Sequence, residues 1–352
     1  MTYPAPLKPG DTVAIISPAS VVNPDYIDGA ARFFEAEGFR VIVMPHAKGP
    51  ASGSYAASDA DRLADILAAL RDPGIRAILC ARGGYGCNHL LPHIPLDLIA
   101  SDPKWLVGFS DISALHALWL RAGVPSLHAP MAKHLTLLPP DHYCTRTLIR
   151  FLTEPAPLPF PTEPLTVGGR VAKAAGFCSN SPLLTPHSSL LTPPHPLNHP
   201  GTAEGILIGG NLAVINGLSA TPFDPLGALS SPASVACDGR RLLFIEDIAE
   251  QIYAVERMLI RMLLAGQLRD IAGLIVGHFT EYRPDRNHPD METMISRLLD
   301  TYADYLPSNF PVAFGFPAGH TDDNLPLLLG APALLEVTPD TTRLIFNPNQ
   351  LR

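Results

Sequence analysis

Residues 105–116 read WLVGFSDISALH. Trp105 to Gly108 form a short apolar run suited to a strand buried on both faces. Ser110 follows almost immediately, and an apolar helix begins at once. A strand–serine–helix turn lifts a serine oxygen out of a sheet and sets it at a helix N-terminus. There the backbone N–H groups and the helix dipole favour developing negative charge. The second glycine of a G-x-S-x-G elbow is absent, with Ile112 in its place. A plainer role for Ser110 or Asp111, as a simple helix cap, competes with the catalytic one.

The same alternation extends outward from this segment. TVAIIS (Thr12–Ser17), RVIVM (Arg40–Met44) and RAILCA (Arg76–Ala81) predict strands. Tyr26–Gly38 predicts a helix that stops at Gly38. Ser58 is placed to cap a second helix, whose Leu63, Ile66, Leu67 and Leu70 share one face. Strand–helix repetition of this kind implies an α/β fold with a parallel sheet covered on both faces. Ligands of such sheets bind at the carboxyl ends of the strands. At one such end lies Ala81-Arg-Gly-Gly-Tyr-Gly86. Adjacent glycines let backbone approach a ligand and present N–H groups, as an oxyanion hole requires. A tight turn needing only φ > 0 is the alternative. The third glycine of a dinucleotide fingerprint is missing, and no G-x-x-x-x-G-K-[ST] occurs.

Composition shifts near Phe151. Five prolines fall in Pro155–Pro164 and six in Pro182–Pro200, a density that cannot continue a helix or a central strand. The predicted organisation is an N-terminal domain over 1–155, a linker over 156–166 and a C-terminal domain over 167–352. A surface loop at 179–202 would leave His187, His195 and His199 in solvent. Glu204–Ile208, Arg241–Glu246, Ile271–Gly277 and Pro311–Gly315 predict strands. Gly209-Gly210-Asn211 leads into an apolar helix. Further helices are predicted on the face formed by Ile252, Val255, Leu259, Met262 and Leu263, and around Met291–Tyr305.

The 352 residues are 47% hydrophobic and 16% charged, enough core for two domains. A net charge of −8 argues against a nucleic-acid or anionic-membrane partner. No apolar run reaches the ~18 residues of a membrane helix. MTYPAPLKPGD lacks the pattern of a signal peptide. Cys80, Cys87, Cys144, Cys178 and Cys237 never stand as C-x-x-C, which predicts free thiols in a reducing, cytoplasmic compartment. No metal site is expected: Pro92 interrupts the His89/His93 spacing, and H-E-x-x-H is absent.

Two more segments carry chemistry. Glu246 and Asp247 close the RLLFIE strand, where a carboxylate can orient an imidazole or simply begin the next helix. His320 closes Gly315-Phe-Pro-Ala-Gly-His320, just after a predicted strand. Ser110, Glu246 and His320 thus all stand at strand ends, in that chain order.

LKPGDTVAIISPAS (7–20), ARGGYG (81–86), GFSDIS (108–113), HAPM (128–131), GGNL (209–212), FIEDIAEQIYAVERML (244–259) and GFPAGH (315–320) occur in sequence. Together they resemble the LD-carboxypeptidase family of serine peptidases, which includes muramoyl-tetrapeptide carboxypeptidases and microcin-immunity peptidases. The resemblance runs from about Leu7 to Gly330. It departs at Ala129, where the family has glycine, and in the long Pro182–Pro200 stretch. It implies a flavodoxin-like N-terminal domain with a mostly parallel sheet, a smaller C-terminal α/β domain and a homodimer, with no cofactor. It also implies Ser110 as nucleophile, His320 as general base and Glu246 as its orienter, with the N–H groups of Gly84 and Asp111 as the oxyanion hole. The expected reaction is release of D-Ala from a murein tetrapeptide in cell-wall recycling. Cleavage of aminoacyl-adenylate amides is the alternative within the family, and a non-catalytic α/β binding protein the alternative outside it. Arg82 and Arg257 are candidates to hold the substrate carboxylate. Tyr85 and Tyr253 are candidates for an aromatic platform. The 179–202 segment contains no Phe, Tyr or Trp, which favours the murein peptide over a nucleobase.

Overall fold

The apolar runs of the first half become parallel strands. The computed structural model describes residues 1–154, 166–167, 170–171, 183–185, 189–227 and 239–346. Two compact units emerge: Met1–Glu154 with Gly209–Ala233 and Ala318–Gly330, and Pro155–Ile208 with Ser234–Pro317 and Ala331–Arg352. The division is discontinuous, so His320 falls in the unit of Ser110, whereas a cut near residue 155 assigns it to the C-terminal half.

The first unit begins β1 (Thr12–Ile16), α1 (Pro24–Ala36), β2 (Arg40–Val43), α2 (Asp59–Arg71), β3 (Ile75–Cys80), α3 (Leu96–Ser101) and β4 (Trp105–Gly108). It continues with α4 (Ser113–Arg121), β5 (Ser126–His128), α5 (Ala132–Leu137) and α6 (Tyr143–Thr153). The helix starts are written locally: Asn23 caps α1 ahead of Pro24, and the Ser58 hydroxyl accepts the Asp61 N–H of α2. All five residues of β1 and all four of β4 are buried, as strands covered on both faces require. Ile66, Leu70, Ile78, Leu106, Leu115, Leu118 and Trp119 belong to one core cluster.

The second unit contains β6 (Thr166–Val167), β7 (Arg170–Val171), β8 (Leu183–Thr185) and β9 (Ser189–Thr192). β10 (Gly201–Asn211) then leads into α7 (Leu212–Gly217), which the Asn211 side chain caps and which counts with the first unit. β11 (Arg241–Ile248), α8 (Ile252–Leu264), β12 (Ile271–Thr280), α9 (Met291–Thr301) and β13 (Val312–Ala313) follow. β14 (Leu327–Leu329) belongs to the first unit, and β15 (Pro332–Val337) and β16 (Thr342–Ile345) to the second.

The first sheet has the order β2-β1-β3-β4-β5, parallel throughout, with β14 antiparallel on the β5 edge. This is the flavodoxin-like order, in which the chain reverses direction between β1 and β3 and opens a crevice at their carboxyl ends. The second sheet is mixed, in the order β13-β12-β11-β10-β15-β16-β9-β8.

One expectation is corrected here. The Pro-rich stretch is not a continuous loop: β8 and β9 pair antiparallel, and β9 pairs with β16. β8 lies at the edge of the sheet, in a stretch of sequence flanked by Pro182 and Pro186. His195 and His199 are not simply solvated either; their Nε2 atoms stand 3.2 Å from Glu292 and 3.9 Å from Asp300. His187, Cys178, Cys237 and nearly all of the 156–166 linker lie outside the described residues. Cys80, Cys87 and Cys144 are buried free thiols. Among the described residues no helix is long and apolar enough to cross a membrane.

Candidate active site

β4 delivers its last residue to a turn that only strong bracing can hold. Ser110 has φ +67°, left-handed backbone that costs a non-glycine residue about 1–3 kcal/mol. The flanks are tied down: the Ala129 N–H donates to Gly108 O at 3.1 Å, and the Ile112 N–H to Phe109 O at 3.3 Å. The buried His116 ring bridges Gly108 O (2.9 Å) and the Ser126 hydroxyl (2.8 Å). Because a carbonyl only accepts, Nε2 carries the proton and Nδ1 accepts from Ser126. Burial pushes the His116 pKa down to about 4, so this brace is neutral. Neither Ser110 nor Asp111 supplies a side-chain cap to the helix that follows. The Ser110 hydroxyl instead lies 2.9 Å from His320 Nε2.

His320 reaches this position through β14. Leu327 pairs with His128, laying the 318–330 segment along β5, next to β4. The buried Asn324 side chain accepts the Gly319 N–H at 2.9 Å and fixes the turn carrying His320. The Phe109 ring meets the His320 imidazole edge-on at 4.9 Å, and faces His128 and His134 at 5.6 and 5.5 Å. Burial lowers the pKa of His128 well below the usual range, and that of His134 to about 4. Both are therefore neutral at pH 7 and place no fixed positive charge beside His320.

The glycine turn after β3 packs directly on the serine turn. A Cβ on Gly83 would stand 2.6 Å from Ser110 Cβ and 3.1 Å from the Asp111 nitrogen. A Cβ on Gly84, at φ +105°, would stand 2.3 Å from Ser20 Oγ. Close approach and positive φ both operate, so the two readings of the ARGGYG turn are compatible. The Ser20 N–H donates to Gly83 O (3.1 Å), and the Ser20 hydroxyl accepts the Tyr85 N–H (3.1 Å). Since N–H and C=O of a trans peptide point oppositely, the Gly84 N–H is turned away from Ser20. Among the described residues, neither it nor the Asp111 N–H donates to a protein acceptor. Ser20 had no individual sequence signal; it is legible only as the residue shortly after β1, at the switch point.

The carboxylate candidates sit in the second unit. Glu246 is fully buried near the end of β11 and Asp247 is nearly so. The β11–β12 register slips there: Ile245 pairs with Val276 but Asp247 with Phe279, so a bulge re-aims the side chains at this strand end. Asp247 Oδ1 accepts the Ile248 N–H at 2.8 Å. Tyr253 (58% exposed) and Arg257, 5.7 Å from its ring, lie one turn apart on α8. In the first unit, Arg82 donates to the Val21 carbonyl, and the exposed Tyr85 packs beside Tyr55 and His89. His89 itself contacts Asp59 at 3.0 Å.

The LD-carboxypeptidase N-terminal domain model matches residues 13–129, and the C-terminal domain model matches 204–335. A probable murein peptide carboxypeptidase of Bacillus subtilis is 31% identical over 340 residues, covering 96% of this chain and 92% of the relative. The chain belongs to the LD-carboxypeptidase family. It is a serine-type carboxypeptidase. The murein tetrapeptide carboxypeptidase of Pseudomonas aeruginosa is also 31% identical, over 92% of each chain. The crystal structure of muramoyltetrapeptide carboxypeptidase from Oxalobacter formigenes superposes with a TM-score of 0.74 at 25% identity, covering 96% of this chain and 98% of that one. The family's two-domain α/β architecture therefore matches the two sheets described above.

Proposed function

We propose that this carboxypeptidase hydrolyses the amide joining D-Ala to the L-centre of a murein tetrapeptide, with Ser110 as nucleophile. The observation that carries the proposal is the 2.9 Å contact between Ser110 Oγ and His320 Nε2 at a serine of positive φ. His320 takes the hydroxyl proton as Oγ attacks the scissile carbonyl. The N–H groups of Gly84 and Asp111 hold the tetrahedral oxyanion, each donor being worth about 3 kcal/mol. His320 then passes the proton to the departing D-Ala nitrogen, and water hydrolyses the acyl-enzyme. Glu246 is the proposed orienting carboxylate, with Asp247 its neighbour and rival. Arg82 or Arg257 would clamp the terminal carboxylate; the family resemblance adds a homodimer that needs no cofactor, and the cysteine usage a cytoplasmic location.

Murein relatives support this substrate, as does the absence of aromatic residues from 179–202. The exposed Tyr85, packed on Tyr55, and the exposed Tyr253 favour the second reading, cleavage of adenylate-type amides on a base-stacking platform. Incubation of purified protein with tetrapeptide should give tripeptide and free D-Ala by mass spectrometry, and a fluorophosphonate probe should label Ser110. Labelling elsewhere, or a higher kcat/KM on an aminoacyl-sulfamoyl adenosine, would overturn the respective part.

A further inference from the structure

The peptide bond between Gly86 and Cys87 is held at both ends by buried charged side chains. Its carbonyl accepts from Arg62 Nη1 at 3.1 Å, and its N–H donates to Asp111 Oδ2 at 2.9 Å. Arg62 is 1% exposed and Asp111 2%. The same Arg62 nitrogen also donates to the Pro18 carbonyl after β1, and its guanidinium lies 4.9 Å from the centre of the Tyr55 ring. One cation from α2 therefore ties the β1 loop to the glycine turn. One anion from the serine turn grips that glycine turn from the other side. The Cys87 thiol faces the same carboxylate. Burial raises the Asp111 carboxyl above its ordinary range, while the Cys87 N–H and the Arg62 charge draw it back.

We propose that Asp111 is a positioning residue through its carboxylate, acting with Arg62 to clamp the 86–87 peptide. This clamp fixes the separation of the two oxyanion donors. The Gly84 N–H rides on the clamped turn, and the Asp111 N–H belongs to the residue that does the clamping. Charge-assisted bonds to a buried peptide are stronger than neutral ones and leave a costly unpaired N–H when broken. A displacement of about 1 Å at such donors costs about 10²-fold in rate. The proposal rests on Ser110 being the nucleophile.

The test compares Asp111→Asn with Asp111→Ala in the full chain, on tetrapeptide and in phosphonylation by a fluorophosphonate. Asparagine keeps an acceptor for the Cys87 N–H, whereas alanine removes it. Asp111→Ala should lower kcat and the phosphonylation rate by about 10²-fold, with KM within about threefold. Asp111→Asn should recover at least about tenfold of that loss, because its amide oxygen still accepts the Cys87 N–H. A merely structural role would lower Tm and the active fraction but leave kcat per titrated site unchanged. That result overturns the proposal, as does an asparagine variant as slow as the alanine one. If Asp111→Ala does not fold, Arg62→Lys reads the other end of the clamp. A lysine cannot grip two carbonyls and stack on Tyr55 together, so kcat should fall about tenfold, and an unchanged kcat refutes the clamp. Ser110→Ala, run in parallel, separates the two failures: if it stays active, the proposed function fails, and if it is inactive while Asp111→Ala is normal, only the clamp fails.

Discussion

Ser110 and Glu246 both stand at the carboxyl ends of sheet strands, yet the two units place them by different means. Ser110 is held in a left-handed conformation by bonds arriving from β5, the 318–330 segment and packing of the glycine turn. Glu246 lies within the buried run of β11, and a register slip against β12 marks its place. A nucleophile, the role proposed for Ser110, must meet several donors and needs its whole surroundings prearranged. A carboxylate that only orients a partner, the role proposed for Glu246, needs a buried, well-aimed position. The first unit should accordingly be the less tolerant of change.

Ser110→Ala and His320→Ala should show the largest effect. Each should cost on the order of 10⁶-fold in kcat, and the double variant little more, because the pair acts as one unit. Full additivity by steady-state kinetics would contradict a shared mechanism. Glu246→Ala comes next, at about 10⁴-fold. If Asp247→Ala carries that loss while Glu246→Ala turns over normally, the orienting role passes to Asp247. Gly83→Ala should follow, at about 10²-fold, since its Cβ would stand 2.6 Å from Ser110 Cβ and push the two turns apart. Normal kcat in that variant would show that the contact is not needed for catalysis.

A contrast of another kind, in stability rather than rate, separates the units by pH. His116, His128 and His134, all in the first unit, have folded pKa values depressed by burial. The unfolded chain binds their protons below about pH 6.5, while the folded protein resists until about pH 4 for His116 and His134. Stability therefore falls as pH drops through that window, by about 1.4 kcal/mol per pH unit per group. In the same unit His46 moves the other way, raised by its hydrogen bond to Asp65, and offsets part of that loss. Trp105 and Trp119, the chain's two tryptophans, are buried in the first unit and report on it selectively. On acidification from pH 6.5 to 4, tryptophan emission should change before far-UV circular dichroism does. Emission that holds steady while the dichroism collapses would reverse the ranking.

The strand–turn–helix segments were legible because each is set by neighbours in the chain. β4 coincides with the WLVG run, α2 begins after Ser58, and β11 begins at Arg241. Less legible were the short strands. Three-residue β5 and β14 carry too few side chains to display a period, and β8 hides between prolines. β14 and β15 are also separated by only two residues, yet join different sheets. Apart from Glu336 near the end of β15 both are apolar, so the LPLLLGAPALLEV run does not assign them to different sheets. At the site, the residue types and their order were readable, but the roles of Arg62, Ser20 and the Asp111 carboxylate were not. Each acts through contacts made at long separation in the chain.

By itself the sequence determined a parallel α/β first half, a serine lifted from a strand end and a glycine turn able to approach it, since periodicity, capping and glycine's missing Cβ act locally. Only the tertiary structure decided that Ser110 would adopt φ +67° and that His320, 210 residues away, would lie 2.9 Å from its hydroxyl. A strained backbone and a long-range hydrogen bond persist only where packing from several elements over-determines them, and that packing exists only in the folded chain.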